Sequence, residues 1–184
     1  MTLSEEEEEM YRTQKIIRQY IYCRIKRKVT EKVEKEVECL LDLNDEILHT
    51  YKLVFTQIIQ TILSADPAYW SGVSDEALQE EGLNWGRFAS LYVVAGEHAI
   101  DCEQKGDIKM VEKIINWLQI STVKKVFWIR NSGGGWAGFL KLFDKTQLLK
   151  LFEKTQQQQQ RKRRRAFTYF VVISTFVTSL LLFM

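Results

Sequence analysis

Apolar residues recur every three or four positions through most of this chain, which is the spacing of one face of an α-helix. Between Met10 and Lys28 they fall at Ile16, Ile17, Tyr20, Ile21 and Ile25. A single proline, Pro67, and nine glycines leave the stretches uninterrupted, and no strand-like alternation is bounded by turn residues. The pattern therefore predicts an all-α protein.

The same spacing continues from Val33 to Ile62 and stops at Asp66-Pro67, because proline disfavours the helical conformation of the residue before it. Phe88 to Ile100 is the most apolar stretch, and we expect it at the centre of a helical bundle. Asp107 is an N-cap candidate, and Gly133 to Gly135 interrupt the pattern. The remaining predicted helices are 108–118, 123–129 and 136–143.

The start of the central stretch, Asn84-Trp85-Gly86-Arg87, indicates a binding edge. Asn84 can cap the helix through its side-chain oxygen. Arg87 then falls in the first turn, where the helix dipole favours anions rather than cations. We therefore expect this arginine to serve another purpose, such as pairing with a carboxylate that a partner supplies.

Charge is distributed unevenly, with acidic residues from Glu5 to Glu9 and a basic run from Arg161 to Arg165. Without the basic run, acidic residues outnumber basic ones, which argues against a nucleic-acid-binding protein. We expect residues 1–9 to be an acidic disordered terminus. The three cysteines lack the paired spacing of a zinc site, so we expect no metal and a reducing compartment.

The segment 166–184 has no charged residue, and as a helix its 19 residues would span roughly 28 Å, close to a hydrocarbon core. It is predicted to be a transmembrane tail anchor. The basic residues directly before it predict that the body, residues 10–152, faces the cytosol; they are Arg161, Lys162, Arg163, Arg164 and Arg165. Residues 153–165 then form a polar and basic linker.

The sequence has no set of residues that is typical of an enzyme active site. His49 and His98 lie far apart, and the chain has no nucleophile motif or phosphate loop. We expect neither an enzyme nor a cofactor.

Four segments together resemble the homology regions of the Bcl-2 family of apoptosis regulators. The segments 82–87 and 128–136 are similar to the first and second regions, 40–47 to the third and 16–25 to the fourth. Asn44 and Glu36 depart from the third region, which usually has a glycine and an apolar residue there. The motif residues are Leu40, Asp45, Trp85, Trp128, Gly134 and Trp136.

The resemblance implies a Bcl-2-like bundle of about eight helices around a central apolar hairpin, with a groove that receives an amphipathic helix. It implies that Arg87 pairs with an aspartate of that helix, and that Asn84 and Gly86 lie at the rim. By the same resemblance, the groove is floored by Ile47, Tyr51, Phe55, Ile58, Leu78, Val94 and Phe143.

The partners that this resemblance implies are amphipathic helices of pro-apoptotic Bcl-2 family proteins and lipid of the mitochondrial outer membrane, with the endoplasmic reticulum membrane as an alternative location. Whether the chain forms a homo- or heterodimer is left open by the sequence. The acidic residues Glu97, Asp101 and Glu103 on the central helix are costly to place in a bilayer, which favours a pro-survival protein. The alternative is a pro-apoptotic effector that oligomerises and permeabilises the mitochondrial outer membrane.

Overall fold

The computed structural model describes residues 4–63 and 67–143, without the side chains of residues 51–55, 57, 58, 62, 63, 67 and 68. These ranges form seven helices: α1 (Glu5–Arg24), α2 (Lys35–Leu63), α3 (Pro67–Ala77), α4 (Trp85–Gln104), α5 (Ile108–Val123), α6 (Val126–Asn131) and α7 (Gly135–Phe143). The prediction of an all-α fold is confirmed for these ranges.

The first helix begins earlier than the sequence pattern predicts. Ser4 and Glu7 form a capping box: the backbone N–H of Glu7 donates to Ser4 Oγ over 3.2 Å, and that of Ser4 donates to Glu7 Oε2 over 2.7 Å. The glutamates that follow occupy the first turn, where the helix dipole favours negative charge. The prediction of a disordered acidic terminus is therefore wrong for residues 5–9.

Helix α2 continues without a break for 29 residues, from Lys35 to Leu63, and includes the third homology region. Helix α3 starts at Pro67, a position that suits proline because the first N–H of a helix has no partner within it.

Helix α4 lies at the centre of the described fold, as its apolar sequence predicts. It packs against α1, α2, α3 and α5, and most of its side chains are buried. Asn84 caps its start by accepting from the backbone N–H of Arg87, and Asp107 caps α5 by accepting from that of Met110. Both predicted caps are confirmed, and α4 and α5 form a helical hairpin.

The described residues up to Phe143 form one compact unit. The predicted end of the body at residue 152 lies outside the described residues. The predicted linker 153–165 and transmembrane segment 166–184 lie outside the described residues. Among the helices that are described, none combines the length and apolar character needed to span a membrane.

Candidate helix-binding site and the polar cluster behind it

The turn that leads into α4 is held by Asn84. Its Nδ2 donates to the carbonyl oxygen of Gly82 over 2.8 Å, while its Oδ1 accepts from the N–H of Arg87 over 3.1 Å. Gly82 has φ of +73°, and a Cβ there would lie 3.3 Å from Arg87 Nη2. Glycine at this position therefore permits both the turn and the close approach of the guanidinium.

Arg87 itself is half-buried. Among the described residues, no carboxylate is paired with its guanidinium, whereas Arg12, Arg18, Arg24, Arg27 and Arg130 each have an acidic partner. An arginine in the first turn of a helix, without an ion pair in this part of the chain, can receive an external anion. The use that the sequence predicts for Arg87, pairing with a partner's carboxylate, stays a prediction.

The first and second homology regions meet in one aromatic cluster. Trp85 Nε1 donates to the carbonyl oxygen of Gly133 over 2.9 Å, and its ring lies 5.5 Å from that of Trp128 and 5.2 Å from that of Trp136. Gly134 has φ of +72° at the turn between α6 and α7. The four motif residues therefore fix the start of α4 relative to α7.

The predicted groove residues do not all have the exposure that the resemblance implies. Gly86 is exposed, and Ile47, Asn84 and Phe143 are half-buried. Leu78 and Val94 lie in the core, at 1% and 6% exposure, so they do not form an open floor in this conformation. The side chains of Tyr51, Phe55 and Ile58 lie outside the described part of the chain.

The third homology region on α2 is bound to the protein's own first helix. Leu40 is buried, and Glu36 is buried with its carboxylate 2.6 Å from Arg12 of α1. Asp45 pairs with Arg24 at 3.0 Å. The glutamate that departs from the family pattern thus has a structural partner.

A buried polar cluster lies behind this region. The Tyr20 hydroxyl donates to the carbonyl oxygen of Tyr92 over 3.0 Å. In the amide orientation that pairs every donor with an acceptor, Asn44 Nδ2 donates to Tyr20 Oη over 2.7 Å, and its Oδ1 accepts from Arg24 over 3.1 Å. In the opposite orientation, the single hydroxyl proton of Tyr20 would have to serve two acceptors, Asn44 Oδ1 and the carbonyl oxygen of Tyr92.

The same cluster includes the central helix. The Arg24 guanidinium also pairs with Glu97, and only 14% of the Arg24 side chain is exposed. Gly96 lies beside it, and a Cβ there would lie 2.8 Å from Tyr20 Oη and 3.2 Å from Arg24 Cγ. Arg24 therefore joins α1, α2 and α4, with glycine allowing the helices to approach closely.

Sequence reasoning missed Arg24 and Tyr20 as members of a polar cluster. Two signals were available: Asn44 falls on the apolar face of α2, and Glu97 interrupts the apolar run of α4. Buried polar side chains need hydrogen-bond partners, so both residues indicated one.

Two further buried groups show how strongly this core excludes water. His98 is buried with its ring 4.7 Å from that of Trp70, and burial lowers its pKa below the usual 6.5. Burial raises the pKa of the Cys102 thiol to about 11, so this thiol stays protonated at neutral pH. In the described ranges, no group of three or more potential ligands is placed to hold a metal ion.

A sequence model described as "Apoptosis regulator proteins, Bcl-2 family" matches residues 40–136, more than half of the chain. The chain belongs to the Bcl-2 family. This confirms the family prediction, and the matched range includes the first three homology regions and the residues of the α4 turn.

One curated relative is Bcl-2-related ovarian killer protein homolog A of Danio rerio, which is 36% identical over 64 residues. That match covers 34% of this chain and only 28% of the relative. The similarity to this protein is therefore local.

Solved structures of Bcl-2 family proteins are similar over most of this chain. Chicken BOK covers 76% of it with 26% identity and a TM-score of 0.63, and 98% of the BOK chain is matched. Trichoplax adhaerens trBcl-2L2 bound to trBak BH3 covers 74% at 24% identity, with 99% of that chain matched and a TM-score of 0.63. The zebrafish pro-survival protein NRZ covers 78% at 20% identity, with 98% of that chain matched and a TM-score of 0.64. The last two matches support the fold alone.

Proposed function

We propose that this chain regulates apoptosis by holding an amphipathic death-motif helix of a pro-apoptotic Bcl-2 family partner in a groove beside the start of α4. We further propose that it acts as a pro-survival protein by sequestering that helix. The observation that carries the proposal is Arg87, half-buried in the first turn of α4 and without an ion pair among the described residues.

The chemistry of Arg87 suits a helical ligand that has one carboxylate. A guanidinium can donate two parallel hydrogen bonds to a carboxylate, and the N-terminal end of α4 adds positive potential at the same place. Gly86 is exposed one residue earlier, so a partner's backbone can come close. Apolar contacts supply most of the affinity in such a complex, and the charge pair sets its register.

Binding by the helix-in-groove mode has support from a structural neighbour, since Trichoplax adhaerens trBcl-2L2 was solved bound to trBak BH3. For this chain, the groove and its ligand class are our proposal. Binding a helix in a groove requires no catalytic group.

Two groups of ion pairs favour the pro-survival assignment. The third homology region of α2 is tied to α1 through Arg12–Glu36 and Arg24–Asp45, so it is not free to serve as a ligand itself. The acidic residues of α4 are also paired, Glu97 with Arg24, Glu103 with Arg27, and Asp101 with Lys105. Inserting α4 into a bilayer would require these pairs to break or to be buried in lipid.

The alternative is an effector that oligomerises and permeabilises the mitochondrial outer membrane. The observation in its favour is the local identity of 36% to a relative that is named a killer protein. Both assignments use the same fold, so a functional measurement must distinguish them.

For location, we propose the mitochondrial outer membrane with the body facing the cytosol, anchored by residues 166–184. The uncharged segment and the basic residues before it support this proposal. The endoplasmic reticulum membrane is the alternative location, and a homo- or heterodimer is compatible with a groove that binds helices.

The proposed groove is tested by titrating the protein with peptides of the third homology region from pro-apoptotic family members. We expect Arg87→Ala to weaken binding roughly 10- to 100-fold, because it removes a charge-assisted pair. Gly86→Glu should weaken it as well, through bulk and repulsion of the ligand carboxylate. Arg18→Ala removes an exposed arginine on α1 and is the control. Unchanged affinity in both groove variants would refute the assignment.

The direction of action is tested with dye-loaded liposomes that carry the full chain and are exposed to an activating helix. A pro-survival protein should retain the dye and should suppress release that a known effector causes. Release of the dye by this chain and the activating helix, without a known effector, would instead establish the effector alternative.

A further inference from the structure

The outer face of α5, extended by its C-cap Lys124, carries a narrow stripe of three lysines, one asparagine and one isoleucine. Its five members are all exposed: Lys109, Lys113, Asn116, Ile120 and Lys124. At 100° per residue they fall within about 80° of the helix circumference. No acidic residue falls within that arc of α5. Glu112 lies outside it and is engaged by Arg18 and Tyr22.

Large apolar side chains are exposed on α5 and on the helix that follows it. Ile120 is 51% exposed, and Phe127, at the start of α6, is 73% exposed, the highest value among large apolar residues of the described chain. Beside Ile120, between α5 and α3, is an open cavity of about 230 Å³, lined by Trp70, Trp117 and Ile120 together with Lys113 and Lys124. Lysines beside exposed aliphatic and aromatic groups are typical of surfaces that lie on membranes.

We propose that the lysine stripe of α5, together with Ile120 and Phe127, docks the folded body onto the surface of an anionic lipid bilayer. The lysine ammonium groups would bind lipid phosphates while their methylene chains cover apolar surface. Ile120 and Phe127 would enter the boundary between headgroups and acyl chains. The cavity would hold one headgroup phosphate between Lys113 and Lys124.

Lys124 already has a partner, but a weak one. Its Nζ lies 3.6 Å from Asp75 Oδ1, and both side chains are more than half exposed. Exposed pairs of this kind contribute little, because water screens them and ordering two long side chains has an entropic penalty. Phosphate groups at a bilayer surface can therefore replace Asp75.

The rest of the chain favours a lipid surface over an acidic protein as the occupant. If residues 166–184 anchor the chain, only 22 residues, 144–165, separate the bilayer from the described body. Fully extended, they reach at most roughly 75 Å, so the body stays at high effective concentration near the lipid. This step rests on the anchor in the proposed function, and docking and anchoring can be measured separately.

The test uses the full chain in vesicles of phosphatidylcholine with or without phosphatidylserine, and measures hydrogen–deuterium exchange in residues 108–127. We expect exchange to be roughly tenfold slower with phosphatidylserine. Lys113→Glu/Lys124→Glu should abolish this difference, and Ile120→Ser/Phe127→Ser should reduce it. The control Lys28→Glu/Lys32→Glu makes the same change in charge at exposed positions between α1 and α2 and should leave it intact.

Alkaline extraction followed by flotation reports on the anchor separately. If the chain stays with the vesicles but residues 108–127 exchange equally in both lipids, the docking surface is refuted and the anchor stands. If extraction removes the chain from the vesicles, the anchor is refuted. The docking surface then stands only if, before extraction, the chain floats with vesicles that contain phosphatidylserine and does so only when both lysines are present. Equal protection by soluble polyglutamate would point to an acidic protein partner and would overturn the proposal for lipid.

Discussion

Gly96 is the residue on which the contact between α1 and α4 depends. Glycine within a helix is less favourable than alanine by about 1 kcal/mol, so its presence in the middle of α4 needs a reason. The reason is steric, because a Cβ would lie 2.8 Å from Tyr20 Oη and 3.4 Å from Tyr20 Cε1. The Tyr20 hydroxyl in turn accepts a hydrogen bond from Asn44 Nδ2 and donates one to the carbonyl oxygen of Tyr92.

Gly96→Ala should therefore destabilise the protein by about 1–3 kcal/mol through overpacking, despite the better helix propensity of alanine. Tyr20→Phe removes the oxygen that the new methyl group would meet, so the two changes should be non-additive in a denaturant-unfolding double-mutant cycle. Gly72→Ala on α3 is the control, since a Cβ at that position would have no heavy atom within 4 Å. It should stabilise the protein slightly. Additive effects at Gly96 and Tyr20 would contradict the contact.

The attachment of α2 to α1 depends on polar contacts as well as on the apolar core. Arg12 with Glu36, Lys15 with Glu34, and Arg24 with Asp45 follow one another along the two helices and their connection. These contacts hold the third homology region in place. The exposed members contribute little each, whereas Arg24 is mostly buried and has partners on two helices.

Arg24→Met should reduce the free energy of unfolding by about 1–3 kcal/mol, because Glu97 and Asn44 lose their partner while still partly or fully buried. Amide hydrogen exchange in α2 should become faster than in α5. Adding Glu97→Gln should recover part of the loss by removing the unpaired charge. Arg18→Met, at an exposed pair with Glu112, should change stability by less than about 1 kcal/mol. An effect at Arg24 no larger than at Arg18 would argue against the cluster.

The stability of the whole molecule should depend on pH through His98. Burial against Trp70 lowers the pKa of His98 below 6.5, with Asp101 opposing and Lys105 reinforcing this shift. The unfolded chain therefore binds a proton at a pH where the folded chain does not. The stabilising contribution is fully present above pH 6.5 and declines as pH falls below it.

Urea unfolding between pH 7 and pH 5 should show this decline, with a slope of up to about 1.4 kcal/mol per pH unit. His98→Leu should flatten the profile in this window, because Nδ1 has no hydrogen-bond partner in the described structure and an apolar side chain fits the site. An unaltered slope in His98→Leu would assign the pH dependence to other groups.

The sequence pattern predicts the ends of helices well where residues close in the chain determine them. The caps Asn84 and Asp107 and the end of α2 before Pro67 all follow from chemistry within a few residues of the chain. The predicted start of α1 is wrong because a run of glutamates resembles a disordered terminus, although Ser4 and Glu7 have capping-box spacing. Leu78 and Val94, which the resemblance places on the groove floor, lie in the core of this conformation, because position in a motif does not reveal which side of a helix another helix covers.

The sequence by itself determined the fold class, the caps and the family, since these depend on periodicity, short-range hydrogen bonds and motif order, and it predicts a role for Arg87. Only the tertiary structure decided that Arg87 has no ion pair among the described residues while Arg24 joins three helices. The physical reason is distance along the chain: the partners in this cluster are separated by 20 residues, for Asn44 and Arg24, to 73 residues, for Glu97 and Arg24. No local pattern specifies such contacts before the helices pack.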